Sequence, residues 1–488
     1  MSRGLRIGNN GGYPIVKTKK PTLSSITITP TTSPQTITTT SDIAYNEVIV
    51  NAVDSSIDQN ITSENIKKDI TILGVEGTYN DDYYIKKEVN GTTLSQSDEV
   101  INTIGIKDIG NDALRYAYFQ NNGIKNVSFP NLMTVSGEYA LVYAFGYCTN
   151  LESVDLSSLT TISGKESLER CFYVCSNLKS VNLSSLTTVS GQNGLYSAFA
   201  NTALESVDLS SLTTVSSSEG LASAFNSCGL LKSINLSSLT DISGNSCLSS
   251  ICSACQQLTD IDLSSLTTVS GNYGLNSAFS GCTSLKVIDL SSLTTVGNYG
   301  LSNTFSSCTA LTSADLSSLT TVGSYGLQST FSGCKLLESM DLSSLTTAVG
   351  DYNLCYAFSG CTSLESVDLS SLSAVGNYGL QYTFSGCTSL TSVNLSSLET
   401  ISGHYTCQYM FYSCTNLTNV YFPALTTSSF GTRKNQFVSM LSGTGTTKVH
   451  TLHFPSNLES TIQGLTGYPT FGGTSGYVVL AYDLPATS

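Results

Sequence analysis

The chain has 488 residues and a net charge of −14, and only 11 % of its residues are charged, against about 25 % in an average globular domain. Lys and Arg number 21 against 35 Asp and Glu, and their longest cluster is VKTKK at 16–20, so the composition excludes an obvious nucleic-acid footprint. The sequence has no apolar run of about 18 residues and no apolar core near its start, so we expect no membrane span or signal peptide, and synthesis in a cytoplasm.

Residues 1–21 are predicted to form an amino-terminal arm, and 22–80 a separate β-rich module. The module is rich in Thr and β-branched residues and is interrupted by Pro, which favours short strands. Its phrases TPTTSPQTIT, EVIVNAV and NIKKDITILGVEGTY follow one another within 26–80. In that order they resemble a module of tailed-phage tail-fibre and receptor-binding proteins. The resemblance implies an attachment role towards other virion tail proteins.

Residues 81–103 are predicted to form a hairpin linker, because YYIKKEVNGTTL places Asn90-Gly91 between two extended segments. From 104 to 425 the block [VI][DN]LSSL then recurs every 26 or 27 residues, and VSFPNL and VYFPAL are divergent copies. Such a fixed period is typical of a solenoid, in which stacked units bury what one unit cannot bury alone. The Asp or Asn of the block defines the Asp/Asn column: Asp155, Asn182, Asp208, Asn235, Asp262, Asp289, Asp315, Asp341, Asp368 and Asn394.

The periodicity changes within one unit. Leu275, Ala278, Phe279 and Cys282 stand at i, i+3, i+4 and i+7, which predicts a short helix. LKVIDL at 285–290 then alternates as a half-buried strand does, and SSLTTV crosses back to a Gly-Asn turn. Each unit is therefore predicted to contain a strand, an extended crossing, a turn and a short helix, with the strands forming a parallel sheet.

The pattern L-x-x-[VI]-x-L, preceded by AFSGC, resembles the leucine-rich repeat of the BspA-like class, and AFSGCTSLESVDL at 357–369 is a close match. The resemblance covers about 104–425, although BspA-like units are usually shorter. It implies an α/β leucine-rich-repeat solenoid and a role in surface adhesion and ligand binding. Residues 426–488 leave the repeat, and VHTLHF and YVVLAY in it are predicted to be strands of a carboxy-terminal cap.

Most of the 15 cysteines share one slot of the repeat, and Asn201 is predicted to occupy the same slot. We expect a buried column of reduced thiols, since a disulfide ladder suits neither an odd count nor a missing secretory route. Cys171/Cys175 and Cys252/Cys255 are spaced like zinc ligands but lack the second pair that a closed site needs. The column comprises Cys148, Cys175, Cys228, Cys255, Cys282, Cys308, Cys334, Cys361, Cys387 and Cys414.

Two outward columns are the candidate ligand-binding sites. Carboxylates on adjacent rungs repel by roughly 1 kcal/mol per neighbour even in water, so the run of Asp requires cations, Ser hydroxyls or a ligand. Tyrosines before each predicted helix form either a structural ladder or a contact surface for carbohydrate or protein. The candidate residues are Asp262, Asp289, Asp315, Asp341, Asp368, Tyr273, Tyr299, Tyr325, Tyr352 and Tyr378, and Tyr139 and Tyr405 occupy the same slot as these tyrosines.

The three histidines, His404, His450 and His453, have no nucleophile–base context, so we expect no enzyme activity. His450 and His453 lie three apart in a predicted strand and should point to opposite faces. We expect no cofactor and no metal centre, and calcium along the Asp run is left open.

The sequence therefore predicts a phage tail fibre or receptor-binding adhesin, located in the virion, that contacts a host surface receptor or glycan through its repeats. Two alternatives remain: a structural virion decoration without receptor binding, and a BspA-like cell-surface adhesin. The Thr pairs of LTTV also resemble those of ice-binding solenoids, although these units vary more in sequence.

Overall fold

The computed structural model describes residues 106–486 and, before them, the backbone of five strands: Thr22–Ile28, Ile43–Val50, Thr71–Ile72, Val75–Glu76 and Val100–Asn102. The chain divides into two compact units, Met1–Tyr83 and Tyr84–Ser488. In the first unit Thr22–Ile28 pairs in parallel with Ile43–Val50, and Thr71–Ile72 pairs antiparallel with Val75–Glu76. The arm 1–21 and the turn Asn90-Gly91 lie outside the described residues.

The second unit is a solenoid in which every strand pair is parallel, as the sequence predicts. Its LSSL blocks contribute what we call the strand ladder, hydrogen-bonded in sheets of four, three, two and six strands. From Asn126–Ser128 onwards, each three-residue strand turns its first and third residues outwards, and the middle residue is buried in all of them except Ser313–Asp315, where Ala314 is half-buried. The strands are Val100–Asn102, Asn126–Ser128, Ser153–Asp155, Ser180–Asn182, Ser206–Asp208, Ser233–Asn235, Asp260–Asp262, Val287–Asp289, Ser313–Asp315, Ser339–Asp341, Ser366–Asp368, Ser392–Asn394, Asn419–Tyr421, His450–Pro455 and Val478–Leu484.

The TTV segments form a second parallel sheet, the crossing ladder, with 11 two-residue strands. In each strand the first residue faces outwards and the second is buried, as Val296 is, and the buried Leu293 before that strand also anchors the crossing. The strands are Asp108–Ile109, Thr134–Val135, Thr161–Ile162, Thr188–Val189, Thr214–Val215, Asp241–Ile242, Thr268–Val269, Thr295–Val296, Thr321–Val322, Thr347–Ala348 and Ala374–Val375.

The segment between the crossing ladder and the cysteine, which we call the turn segment, is a chain of turns where the sequence predicts a short helix. Its backbone N–H groups donate alternately within the rung and to the next rung. The Ala278 N–H donates to the Leu275 carbonyl of its own rung at 3.0 Å, whereas the Phe279 N–H donates to the Thr304 carbonyl of the next rung at 3.0 Å. Every fourth residue takes a left-handed φ, as at Ser277 with φ 54°. Bonding between rungs therefore replaces the i→i−4 bonds of a helix.

The apolar spacing nevertheless identifies the correct buried face, since Leu275, Ala278, Phe279 and Cys282 have no exposed surface. The turns repeat every four residues, close to the helical period of about 3.6 residues, so both conformations place these side chains inwards. The core consists of such columns, and the phenylalanine column contains its largest fully buried side chains. Its rings stack with centroids 5.2–5.8 Å apart from Phe145 to Phe225 and from Phe279 to Phe411, with Cys252 between the two runs.

Glycine sets the distance between rungs at the start of several turn segments. A Cβ at Gly271 would lie 2.2 Å from the carbonyl oxygen of Gly244, and one at Gly164 would lie 2.0 Å from that of Gly137. No side chain fits at these positions unless the backbone moves.

Beyond the last LSSL block, VHTLHF and YVVLAY are strands as predicted, and both extend the strand ladder in parallel. Between them lie the short helices Ser456–Leu458 (3₁₀) and Glu459–Gln463 (α), and a 3₁₀ turn Thr427–Phe430 precedes them. Within 106–486 no helix is both long and apolar enough to cross a bilayer.

Candidate functional site

The Asp/Asn column lies on the last residue of successive strands, on the outer side of the strand ladder. Asp289, Asp315 and Asp341 are exposed, whereas Asp262 and Asp368 are half-buried. Asp289 lies beside Asp315 in register, and Asp341 beside Asp368. The structure therefore brings the predicted carboxylates together in adjacent pairs.

Each of these carboxylates closes a turn in its own rung. Asp315 accepts the backbone N–H of Ser317 at 2.9 Å, and Asp289 and Asp341 accept the equivalent Ser N–H at the same distance. Asn235 accepts that bond at 3.0 Å. This is an Asx turn, which either residue type can form, and it explains why both Asp and Asn occur in the column. Ligand contact through the remaining carboxylate oxygens stays a prediction.

The turn also affects the charge of the column. The hydroxyl and the backbone N–H of Ser291 hold the pKa of Asp289 below its ordinary value, and Ser343 does the same for the pKa of Asp341. Donors that stabilise the ionised form therefore outweigh desolvation at these two residues.

The predicted tyrosines form a continuous stack on the turn segments, which we call the tyrosine ladder: Tyr273, Tyr299, Tyr325, Tyr352, Tyr378 and Tyr405. Successive ring centroids lie 4.3, 4.3, 4.8, 4.6 and 5.7 Å apart, with interplanar angles of 24° or less. Because the rings stack on one another, each interior ring has both faces covered and presents its phenolic edge outwards. Tyr139 occupies the same slot outside the ladder, and its ring lies 4.9 Å from the Arg115 guanidinium.

A second tyrosine column runs beside the carboxy-terminal end of the ladder, and sequence analysis did not single it out. Tyr356, Tyr382 and Tyr409 stand four residues after ladder tyrosines, and their centroids are 4.7 and 4.6 Å apart. The signal in the sequence is Y-x-x-x-Y, at 352–356, 378–382 and 405–409.

Carboxamides lie between the two columns. The Gln381 amide donates to the Gln408 side-chain oxygen at 2.6 Å, and Ser302 donates to the Gln328 side-chain oxygen at 3.4 Å. We call the two tyrosine columns together with Gln328, Gln381 and Gln408 the tyrosine–amide face. Its groups are uncharged and both donate and accept hydrogen bonds.

The tyrosines of the face have unusual backbone angles. Tyr299, Tyr325 and Tyr378 have φ of 55°, 58° and 56°. A bulky residue seldom adopts this left-handed region, which Gly and Asn adopt more often. Burial against the neighbouring rings raises the pKa of Tyr299 and Tyr325, with repulsion from the next tyrosinate as a further cause. These hydroxyls therefore stay protonated at physiological pH.

All 15 cysteines are buried with free thiols, which confirms the predicted burial. In the column each thiol donates to a backbone carbonyl of the preceding rung, as Cys308 does to Phe279 at 3.2 Å. Burial raises the pKa of Cys148 and Cys308 to about 12. The prediction for Asn201 is wrong: Asn201 is exposed, and Thr202 occupies the slot, donating to the Phe199 carbonyl at 2.8 Å.

His450 and His453 point to opposite faces of strand His450–Pro455, as predicted. His450 is buried, and its Nδ1 lies 2.6 Å from the Leu417 carbonyl. The His453 ring stacks on Tyr421 at 4.3 Å, with Nδ1 2.9 Å from Asp483. Within 106–486 no three His, Cys, Asp or Glu side chains are grouped as metal ligands.

The sequence matches the family described as BspA type leucine rich repeat region, over residues 99–219, 143–273, 255–355 and 302–440. These overlapping stretches cover the whole repeat region. No curated protein matches the sequence.

Several solved structures are similar to this chain at low identity. A leucine-rich repeat protein from Bacteroides ovatus is 19 % identical, with a TM-score of 0.43 over 82 % of this chain and 99 % of that one. A leucine rich cell surface protein from Faecalibacterium prausnitzii is 16 % identical, with a TM-score of 0.28 over 66 % and 87 %. The pneumococcal vaccine antigen PcpA is 13 % identical, with a TM-score of 0.32 over 81 % and 99 %.

Proposed function

Because the chain belongs to the family of BspA-type leucine-rich-repeat proteins, we propose that its solenoid is a non-catalytic scaffold that binds the surface of a host cell. The observation that carries the proposal is the regularity of the outer columns. Identical polar and aromatic groups recur rung after rung, on a backbone that bonds between rungs and cannot easily rearrange. Such a surface makes many equivalent contacts at once, and a repetitive ligand gains from their number.

We propose further that the protein is a tail fibre or receptor-binding adhesin of a tailed phage, located in the virion. The support for this step is the order of phrases within 26–80, which resembles the attachment modules of such proteins. The amino-terminal region would then hold the chain to other tail proteins, and the solenoid would face the host. The role needs neither a cofactor nor an enzyme activity.

The test is binding of the labelled full-length chain to intact cells of candidate hosts. We expect saturable binding that unlabelled chain displaces, together with slower adsorption of phage in the presence of free protein. Antibody labelling of virions then decides the location. If the antibody labels virions but the chain binds no cell, the protein is a structural decoration. If the antibody labels the producing cells instead of virions, the protein is a BspA-like cell-surface adhesin.

A further inference from the structure

We propose that the tyrosine–amide face binds an uncharged polysaccharide, laid along the axis of the solenoid. The proposal rests on the proposed function and names the ligand class. The sequence left open whether these tyrosines form a structural ladder or a contact surface for carbohydrate or protein. In the structure the ring faces are occupied by neighbouring rings, at 4.3 Å between Tyr299 and each of its two neighbours. What the ladder offers is a row of phenolic edges.

The face carries almost no charge. The turn segments 297–308, 323–334, 350–361, 376–387 and 403–414 contain no Lys or Arg, and Asp351 and His404 are their only charged or titratable residues apart from Tyr and Cys. The Asp351 carboxylate accepts the Asn377 amide at 2.9 Å, and Arg433 lies at the edge of the face, 3.2 Å from the Asn377 side-chain oxygen. The face therefore has no row of cations to bind an anionic polymer and no row of carboxylates to bind a cationic polymer.

The polar groups of the face suit sugar hydroxyls. A phenol and a carboxamide each donate and accept hydrogen bonds, and so does each hydroxyl of a neutral sugar. Gln381 lies between Tyr378 and Tyr382 in sequence, so one rung presents phenol, amide and phenol side by side. Ring centroids repeat every 4.3–5.7 Å along the ladder, a step of the same order as one pyranose unit.

The face is also organised before any ligand arrives. Stacking fixes the rings, and backbone hydrogen bonds to the next rung hold the tyrosines from Tyr273 to Tyr382, as the Tyr325 N–H donates to the Asp351 carbonyl at 2.8 Å. Little side-chain entropy is then lost on binding. The same left-handed slot holds Asn193 and Ser246 in earlier rungs, so six successive tyrosines are not what the backbone alone requires.

The test compares the full-length protein with Tyr299→Phe/Tyr325→Phe/Tyr352→Phe, which keeps the stacked rings and removes three hydroxyls. Tyr139→Phe is the matched control, because Tyr139 has the same slot and φ outside the ladder. The probes are dextran, mannan, galactomannan and xylan, with alginate and hyaluronate as anionic polymers, each cast into native gels. Thermal unfolding checks the fold, and Tyr325→Phe and Gln381→Ala serve as single changes if the triple variant unfolds.

We expect at least one neutral polysaccharide to retard the wild type and the control equally, and the triple variant to lose roughly tenfold in apparent affinity at unchanged melting temperature. The proposal is overturned if no neutral polymer retards the protein, if the triple variant is retarded like the wild type, or if the anionic polymers bind better. Cell binding that survives the triple substitution overturns this inference alone, whereas a wild type that binds no cell overturns the proposed function.

Discussion

At the scale of single residues, the Asp/Asn column shows where sequence reasoning succeeds and where it stops. The alternation of LKVIDL places Asp289 outwards, and the structure does so too. The repeat suggests a row of repelling carboxylates in need of relief. It cannot show that an oxygen of each is engaged by the serine two residues on, since that depends on the turn geometry after the strand. The interchange of Asp with Asn was the available clue.

The Asx turn predicts different effects for two substitutions at one site. Asp315→Asn keeps the acceptor for the Ser317 N–H, so we expect the melting temperature to change little. Asp315→Ala removes the acceptor, and we expect a loss of about 1 kcal/mol, the usual net value of such a bond. Thermal and urea unfolding of both variants measure this. Equal losses from Asn and Ala would mean that the charge, and not the turn, matters at this site.

The lowered pKa values of Asp289 and Asp341 predict the direction of an acid effect. A carboxyl whose folded pKa lies below its unfolded pKa stabilises the protein above the unfolded pKa, which is about 3.9 for Asp. That stabilisation declines as the pH falls through the folded pKa. We expect melting temperatures to fall below about pH 4 in the wild type, and less steeply in Asp289→Asn/Asp341→Asn. A parallel decline in both proteins contradicts the assignment.

At the scale of elements, the turn segment shows that periodicity identifies a buried face more reliably than a backbone conformation. Leu275 and Phe279 are buried as the pattern requires. The helix is absent because half of the amides in the segment bond to the next rung, and a single unit contains no information about that partner. Thr202 illustrates a related limit: counting back from the strand selects Asn201, but counting forward from Phe199 gives the correct slot.

The thiol column predicts a chemical property of the whole element. Because the thiols are buried and burial raises the pKa of Cys228 and Cys414 to about 12, thiolate is scarce at neutral pH. Ellman titration of the native protein should find few reactive groups, and titration in guanidinium should find nearly all 15. A regular series of disulfides between rungs, detected by mass spectrometry, would contradict this prediction.

Two glycines in different surroundings, Gly271 between rungs and Gly229 in open space, give a matched pair of substitutions. In Gly271→Ala the new methyl would lie 2.2 Å from the Gly244 carbonyl oxygen, whereas the methyl of Gly229→Ala would have nothing within 4 Å. We expect roughly 1–3 kcal/mol of destabilisation from the first, by overpacking, and about 0.5 kcal/mol or less from the second. Urea unfolding followed by circular dichroism compares them. Similar stabilities would show that the rungs can separate at Gly271 without cost.

At the scale of the whole molecule, the two outer sides of the solenoid differ in chemistry. The tyrosine–amide face is nearly free of charge, whereas the strand ladder from 260 to 368 carries six Asp, with Glu338 and Glu365 directly before two of its strands. The sequence predicts the Asp/Asn column and the tyrosine ladder, since each recurs at the fixed period of the repeat. It does not reveal the second tyrosine column, because tyrosine recurs at this slot in the three rungs of Tyr356, Tyr382 and Tyr409 but follows no repeat-wide pattern.

The acidic strand ladder predicts that cations stabilise the molecule. Its carboxylates lie on adjacent rungs within one Debye length, so added salt screens their mutual repulsion in the folded state more than in the extended unfolded chain. We expect the melting temperature to rise between about 0.05 M and about 0.5 M NaCl, and calcium at matched ionic strength to raise it further, since divalent ions concentrate beside rows of carboxylates. Asp289→Asn/Asp315→Asn/Asp341→Asn removes three neighbouring charges and keeps their turns, so this variant should respond less to both salts. If the wild type ignores both salts, or the variant responds as strongly as the wild type, these carboxylates act only as turn acceptors and calcium has no site among them.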